Sequence, residues 1–326
     1  MGVLLFLLTV FKVRQKLLTE VPLTLRHSIA AGIGVFLIFV GLKHVGVIQQ
    51  HGVNFISLGR VFTLEALLAL MGIGLILILE AFKVRSAFIL TILISWGLGF
   101  FFGLTHFEGV VALPPSLTPT FLKLDFPHCF QWGFVGVVCS LFLVTLLDSS
   151  VALATLTKQA HVYKGKGEIP RMQRALLPDA IGTLLGSLMG SASLAMHMES
   201  AAGIKVGGRT GVVPIFVSVC FLGCLFFYPV VVTIPHFAPA SVLIVLGFLM
   251  LREAREIPWR QVTESIPACV TILMMPLTMS IYDGFSWGFI TYALLKLLSG
   301  RFRELHLLVW ILALLFLTHR IVECFI

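Results

Sequence analysis

Long apolar segments separated by short polar loops constrain the fold of this chain more than any other feature. A helix needs about 20 consecutive, mostly apolar residues to cross a bilayer. Charged residues make up 12% of the chain and hydrophobic residues 58%, whereas about a quarter of an ordinary soluble domain is charged. We therefore exclude a soluble enzyme, a nucleic-acid-binding domain and a disordered chain. About ten segments are predicted to lie in the membrane, at 28–48, 62–81, 86–104, 131–156, 176–195, 211–233, 240–251, 267–282, 285–299 and 305–318.

Several of these segments are interrupted by proline. The stretch 228–240 contains three prolines, and the stretch 267–276 contains two. Broken helices are tolerated at membrane depth only where protein or a water-filled cavity satisfies the freed backbone groups. Such interruptions are typical of a transporter, whereas a receptor or a simple anchor does not need them.

Lysine and arginine cluster in some loops and are scarce in others. The longest basic loop covers 158–174, whereas the loops at 44–61 and 105–130 carry few basic residues. Cytoplasmic loops of membrane proteins collect lysine and arginine, so the two poor loops are predicted to face the outside. The net charge of +8 therefore needs no nucleic-acid partner. The prediction is an integral protein of the cytoplasmic (inner) membrane, with the lipid bilayer as a partner.

The sequence carries no signature of a catalytic or metal site. It contains no HExxH, Walker, GxSxG or CxxC motif. Its six cysteines lack the spacing of metal ligands or of a disulfide framework, and we predict that they pack as small buried apolar residues. We therefore expect no enzyme activity, no cofactor and no metal ion.

Acidic residues inside the apolar segments are the first candidates for function, because a charge at membrane depth is costly. Asp148 lies in the middle of 131–156. It is interpreted as a proton-titrating or substrate-facing carboxylate, the alternative being an Asp bonded to a helix end or to hydroxyl groups. Asp179 follows Pro178 and either caps a helix or has a functional role. Asp283 precedes a glycine and is predicted to lie in a turn.

Glu199 is a further candidate, in a segment without a clear helical pattern. Residues 191–198 are uncharged and small residues follow at 200–203. An extended segment that ends at a short helix would present free backbone N–H groups beside this carboxylate. A carboxylate in that place can accept two N–H donors from a planar heterocycle. The alternative interpretation is a helix-capping glutamate.

The run IPRMQRALLPDAIGTLLGSLMGSASLAMHMESAAGIKVGGRTG at 169–211 resembles the guanine/hypoxanthine permeases, the purine-transporting branch of the nucleobase–cation symporters. Its ESAAG and GGRTG elements are the specific part of the match. Weaker matches follow in the same order as in that branch, at 21–42, 119–126, 265–284 and 288–301. The resemblance therefore covers nearly the whole chain.

The resemblance implies an all-α polytopic membrane protein with an inverted-repeat (7+7-type) transporter fold, in which a gate domain moves against a substrate-binding core domain. A short strand would precede Glu199. The chain would begin at the end of the family's fourth segment, truncated at its N-terminus, and would lack the first-repeat strand. The implied division is 1–20, the tail of a truncated membrane segment and a basic loop; 21–104, gate segments of the first repeat; 131–233, core segments of the second repeat with the substrate site; and 234–326, gate segments of the second repeat.

Two parts of the implied site depart from the family pattern. The family's eighth segment usually reads Val-Asp-x-Phe-Asp-Thr-x-Gly-Thr, and here Thr145 replaces its first Asp whereas Asp148 is retained. The strand that usually reads Gly-Thr-Ser-Thr loses part of its hydroxyl groups and ends at Ser193. The resemblance assigns purine binding to Glu199, Ser200, Thr145 and Ser193, with Glu199 accepting ring N–H groups. It assigns proton coupling to Asp148.

The predicted function is proton-coupled secondary transport of a purine base, such as guanine, hypoxanthine or adenine. The expected partners are the base, a proton, and either a second chain carrying the missing N-terminal segments or a second copy in a homodimer. Two alternatives remain open. One is an inactive, truncated remnant of a permease, and the other is a non-transporting accessory subunit in the membrane.

Overall fold

The structure is a computed structural model in which helices dominate. It describes residues 2–12, 14, 20–51, 55–84, 86–105, 109–125, 172–197, 200–205 and 207–325, together with scattered positions from 138 to 160. The described positions between 138 and 157 are helical. The remaining helices are α1 (Gly2–Val10), α2 (Leu23–His44), α3 (Leu64–Ala81), α4 (Ala87–Phe101), α5 (Met172–Leu188), α6 (Ser200–Lys205), α7 (Val212–Cys224), α8 (Tyr228–Val232), α9 (Phe237–Leu251), α10 (Val262–Thr278), α11 (Ile281–Leu298) and α12 (Leu307–Phe325).

The loop at 44–61 contains a β-hairpin that the hydropathy pattern did not predict. Strands β1 (Ile48–His51) and β2 (Phe55–Leu58) pair antiparallel, with Ile48 opposite Leu58. The backbone N–H of Gly59 continues the pairing by donating to the carbonyl of Val47 at 2.8 Å. Strands of four residues are too short for a period-two pattern to stand out in sequence.

The prediction that Asp283 lies in a turn is wrong. The Ser280 side chain accepts a hydrogen bond from the Asp283 backbone N–H at 3.2 Å and caps the N-terminus of α11. Asp283 therefore lies in the first helical turn, where an acidic residue is favoured by the helix dipole. Its carboxylate forms an ion pair with Arg320 of α12. The capping serine, rather than the following glycine, determines the local structure.

Helices α2 and α9 cross at a contact between two glycines. A Cβ atom on Gly34 would lie 2.7 Å from the carbonyl oxygen of Gly247, and a Cβ on Gly247 would lie 2.4 Å from that of Gly34. No side chain fits at either position, so the two backbones touch directly. Small residues permit this close approach between membrane helices.

The packing around this crossing has an approximate two-fold relation. Helix α9 packs against the α3–α4 pair, and helix α2 packs against the α10–α11 pair. Exchanging α2 with α9, and α3–α4 with α10–α11, therefore reproduces the same set of contacts. We call α2, α3, α4, α9, α10 and α11 the six-helix bundle. The two groups of three helices therefore repeat one packing pattern.

One hydrophobic core joins the candidate site region to the six-helix bundle. The buried cluster contains Leu5 of α1, Leu146, and Ala180 of α5. It also contains Phe289 of α11 and Phe316 of α12. Helix α1 also packs along α5. The helix that carries Thr145 and helix α5 therefore share one buried core with α11 and α12.

The exterior of the protein is apolar. Four helical stretches are long and apolar enough to cross a membrane, namely Leu23–His44, Leu64–Ala81, Val212–Val232 and Phe237–Glu256. Shorter apolar helices include Ala87–Phe101 and Val262–Thr278. None of the residues in Val212–Val232 is buried. Exposed apolar surface of this extent is what contact with lipid requires.

Candidate functional site

The structure brings together two of the residues assigned to purine binding. The hydroxyl oxygens of Thr145 and Ser193 lie 3.0 Å apart, although the residues are 48 positions apart in sequence. Thr145 also donates to the carbonyl of Leu141 at 2.8 Å. Because a threonine hydroxyl has a single hydrogen, Ser193 is the donor in the bond between them. We call Thr145 and Ser193 the hydroxyl pair. Its unused lone pairs can accept N–H groups from a ligand.

A left-handed glycine directs the chain from α5 into the segment that carries Ser193. Helix α5 ends at Leu188, and Gly190 follows with φ +82°. The Ser191 N–H then donates back to the carbonyl of Gly186 at 2.9 Å, as in other glycine-terminated helices. A Cβ on Gly190 would lie 2.5 Å from Cβ of Thr120. The predicted span 176–195 therefore ends earlier than its apolar pattern suggested.

Residues 191–197 are non-helical, as predicted, but they pair with no other strand within the described part of the chain. A side chain supplies the missing backbone partner instead. The Leu194 N–H donates to the hydroxyl of Thr183 at 3.2 Å, and Thr183 donates to the carbonyl of Asp179 at 2.9 Å. Thr183 is buried in α5. It therefore holds the segment one residue beyond Ser193.

Asp179 does not cap a helix and instead pairs with a basic side chain. It lies inside α5, after Pro178. Its carboxylate forms an ion pair with Arg14, whose side chain is 0% exposed. A buried charge needs such a partner to offset the loss of hydration. The helix-cap interpretation of Asp179 is therefore wrong. The partner could not be predicted because it lies 165 positions away in sequence.

Ser149 is a further candidate site residue that the sequence alone did not single out. Its side chain is 0% exposed. Among the described residues, its hydroxyl has no hydrogen-bond partner. Ser149 lies four residues after Thr145, so both side chains share one face of the helix. That spacing is the signal that could have identified it. A buried hydroxyl without a partner is costly and is available to a ligand or a water molecule.

The other three predicted residues have different outcomes. Ser200 is exposed at the first position of α6, and its N–H donates to the carbonyl of His197 at 3.4 Å. The prediction of a short helix after the non-helical segment is thereby confirmed. Glu199 and Asp148 lie outside the described residues. Their assigned roles stay predictions.

A metal centre does not emerge from the side chains that the structure describes. No group of three or more His, Cys, Asp or Glu residues in those parts of the chain could hold an ion. The prediction that the cysteines are buried is wrong for three of them, because Cys220, Cys224 and Cys269 are free and exposed. The arrangement at the site is therefore one of hydroxyl and backbone groups suited to hydrogen bonding.

Comparison with known proteins identifies relatives along almost the whole chain. A family described as Permease family (Xan_ur_permease) matches residues 1–286. The chain is 38% identical to the adenine permease AdeP of Escherichia coli, covering 96% of this chain and 70% of that protein. It is 32% identical to the guanine/hypoxanthine permease PbuO of Bacillus subtilis, covering 97% of this chain and 74% of that protein.

A solved structure shares the fold at low sequence identity. The transmembrane domain of the cyanobacterial bicarbonate transporter BicA superposes with a TM-score of 0.64, covering 88% of this chain and 73% of that domain. Only 16% of the residues are identical, so this likeness concerns the fold alone. It confirms the prediction of an all-α polytopic transporter fold.

Proposed function

The chain belongs to the Permease family, and from this premise we propose that it transports a purine base across the membrane. The relatives are transporters rather than enzymes, and the chain is an integral membrane protein. The observation that carries the substrate class is the similarity to adenine and to guanine/hypoxanthine permeases over at least 96% of this chain. The resemblance found in the sequence is thereby confirmed.

The hydroxyl pair supports a binding mode for the base. Thr145 and Ser193 present oxygen lone pairs, and Ser149 adds a buried hydroxyl that can donate. A purine carries N–H donors and ring nitrogen acceptors on adjacent edges. We assign the ring N–H groups to the carboxylate of Glu199 and the neighbouring edge to Ser200 and the hydroxyl groups. Buried hydrogen bonds of this kind reject analogues that lack the matching group.

The proposal also includes coupling of purine transport to a proton. Asp148 is the one ionisable residue in the apolar stretch 131–156, and it lies between the positions of Thr145 and Ser149. A carboxylate there can alternate between the charged and the neutral form during transport. Such intramembrane acids commonly carry protons in transporters. The proposed location is the cytoplasmic (inner) membrane, with the basic loops inside.

The proposal includes two assembly states beyond a single copy, a homodimer and a complex with a second chain. The two assembly states are distinguished by comparing uptake in two kinds of cell. One produces this chain alone, and the other also produces a full-length relative that lacks activity of its own. Uptake with the chain alone supports a monomer or homodimer, which cross-linking then separates. Uptake only with the second chain supports the complex.

The test is uptake of radiolabelled adenine, guanine and hypoxanthine by a host without purine permeases. We expect uptake by the wild-type chain and its loss in Glu199→Gln, because the amide replaces one of the two acceptor oxygens by an NH2 donor and removes the negative charge. Glu80→Gln, at an exposed position on α3, is the matched control and should keep full uptake. Absence of uptake in every assembly, with membrane insertion verified, would overturn the transport proposal. Full uptake in Glu199→Gln would remove that residue from the site.

A further inference from the structure

The two ends of the six-helix bundle carry acidic residues at related positions. Glu65 lies in the first turn of α3, and Glu264 lies in the first turn of α10. The exchange that relates the two halves of the bundle also relates α3 to α10. From the distribution of basic loops, the Glu264 end is cytoplasmic and the Glu65 end is outer. The two carboxylates occupy related positions but differ in burial, because Glu264 is 7% exposed whereas Glu65 is an exposed residue.

At the cytoplasmic end, an internal ammonium group neutralises the carboxylate. Nζ of Lys296 lies 2.8 Å from Oε1 of Glu264, and Lys296 is 3% exposed. The hydroxyl of Tyr292 donates to the same oxygen at 3.1 Å. Lys296 also donates to Glu304 at 2.7 Å. This hydrogen bond lowers the pKa of the Glu304 carboxyl, which lies outside the membrane helices.

At the outer end, a cavity occupies the corresponding place. It has a volume of about 380 Å³ and lies between the C-terminal end of α2, the N-terminal end of α3 and the segment before α9. None of the described residues lining it is a lysine or arginine. Glu65 forms no hydrogen bond or ion pair with the described part of the chain. The exposed carboxylate of Glu65 thus borders an open cavity that has no basic side chain among its described lining residues.

Further acceptors and an apolar wall complete the cavity. His44 and His236 stack across it, with ring centroids 6.3 Å apart. The hydroxyl of Thr105 is buried and has no hydrogen-bond partner within the described residues. Leu104 and Phe237 contribute apolar surface. A cavity of this size is far larger than a bare ion and falls within the range that holds small organic ligands.

We propose that this outer cavity binds a small protonated amine, whose ammonium group takes the place that Lys296 occupies at the other end of the bundle. The carboxylate of Glu65 and the hydroxyl of Thr105 accept its N–H groups, and the imidazoles of His44 and His236 supply further lone pairs. The alkyl part rests on the apolar wall. A charge-assisted hydrogen bond to the carboxylate supplies the specificity for a cation. Binding here is separate from purine transport and is measured without it.

The experiment measures binding of butylammonium chloride to the full chain in lipid nanodiscs by isothermal titration, against potassium chloride at equal concentration. We expect saturable binding of the amine, weakened at least tenfold in Glu65→Gln. The control variant Glu80→Gln, at the opposite end of the same helix, should bind as the wild type does. Amine binding that no potassium titration reproduces supports the proposal. Absence of saturable binding, or equal binding in Glu65→Gln, would overturn it.

A second variant tests the comparison between the two ends. Leu104→Lys introduces an ammonium group at the wall of the cavity. The variant is expected to lose butylammonium binding and to unfold at a higher temperature than the wild type. Undiminished amine binding by the folded variant would contradict the assigned position of the ligand. If the variant does not fold, the Glu65→Gln titration still decides. Adenine added as a competitor should leave the amine titration unchanged, and displacement by adenine would instead assign the cavity to the purine.

Discussion

Replacing Thr183 by valine should weaken purine binding without changing the shape of α5. The hydroxyl of Thr183 accepts the Leu194 N–H at 3.2 Å and is 2% exposed as a residue. Valine removes this acceptor while keeping a similar volume. The Leu194 N–H then loses its partner, and Ser193 is no longer held against Thr145. Uptake should therefore require a higher concentration of purine.

The magnitude follows from the environment of the bond. A donor left unsatisfied in the interior costs about 1–3 kcal/mol. The bond from Leu194 to Thr183 is only partly buried, so we take the lower end, about 1 kcal/mol. This corresponds to a change of about fivefold in the equilibrium constant for holding the segment in place, and the apparent affinity falls by at most that factor.

The assay is concentration-dependent purine uptake, with Thr183→Ser as the control that keeps the hydroxyl. We expect KM to rise by up to about fivefold in Thr183→Val and to stay near the wild-type value in Thr183→Ser. Equal KM values in the two variants would refute a positioning role for the hydroxyl. An equal rise in both variants would assign the effect to side-chain packing at this position rather than to the hydroxyl group.

Two further predictions concern the six-helix bundle, measured as thermal unfolding in nanodiscs. Lys296→Met leaves the buried carboxylate of Glu264 without its cation, which costs about 3–5 kcal/mol, and an unchanged unfolding temperature would contradict the role of the pair. Gly247→Ala places a Cβ 2.4 Å from the Gly34 carbonyl oxygen, and the separation of the two helices should cost about 1–3 kcal/mol. Gly74→Ala is its control, because a Cβ there meets nothing within 4 Å. Equal effects of the two alanine substitutions would refute the direct backbone contact.

The membrane helices were predictable because a bilayer imposes a length and a composition on each of them. The predicted segment 62–81 corresponds to Leu64–Ala81, and 86–104 corresponds to Ala87–Phe101. Apolar pattern located the elements but not their ends. Helix α5 ends at Leu188 because Gly190 adopts a left-handed conformation, and hydropathy carries no information about that angle.

The partners of charged residues could not be predicted, because they depend on which distant segments meet. Asp179 binds Arg14 and Asp283 binds Arg320, and no local spacing indicates either pair. The family resemblance assigned both Thr145 and Ser193 to the substrate site, but it did not predict that they contact each other. Their direct hydrogen bond and the role of Thr183 become visible only once the packing of α5 against the helix that carries Thr145 is known.

Counterflow of radiolabelled adenine into proteoliposomes tests the central claim most directly, because it needs purified protein and no coupling gradient. Vesicles loaded with unlabelled adenine should transiently accumulate the label when they contain the wild-type chain. Vesicles with the Glu199→Gln variant should accumulate no more label than protein-free vesicles. If correctly inserted wild-type protein produces no accumulation of adenine, guanine or hypoxanthine above the protein-free level, the chain by itself is not a purine transporter.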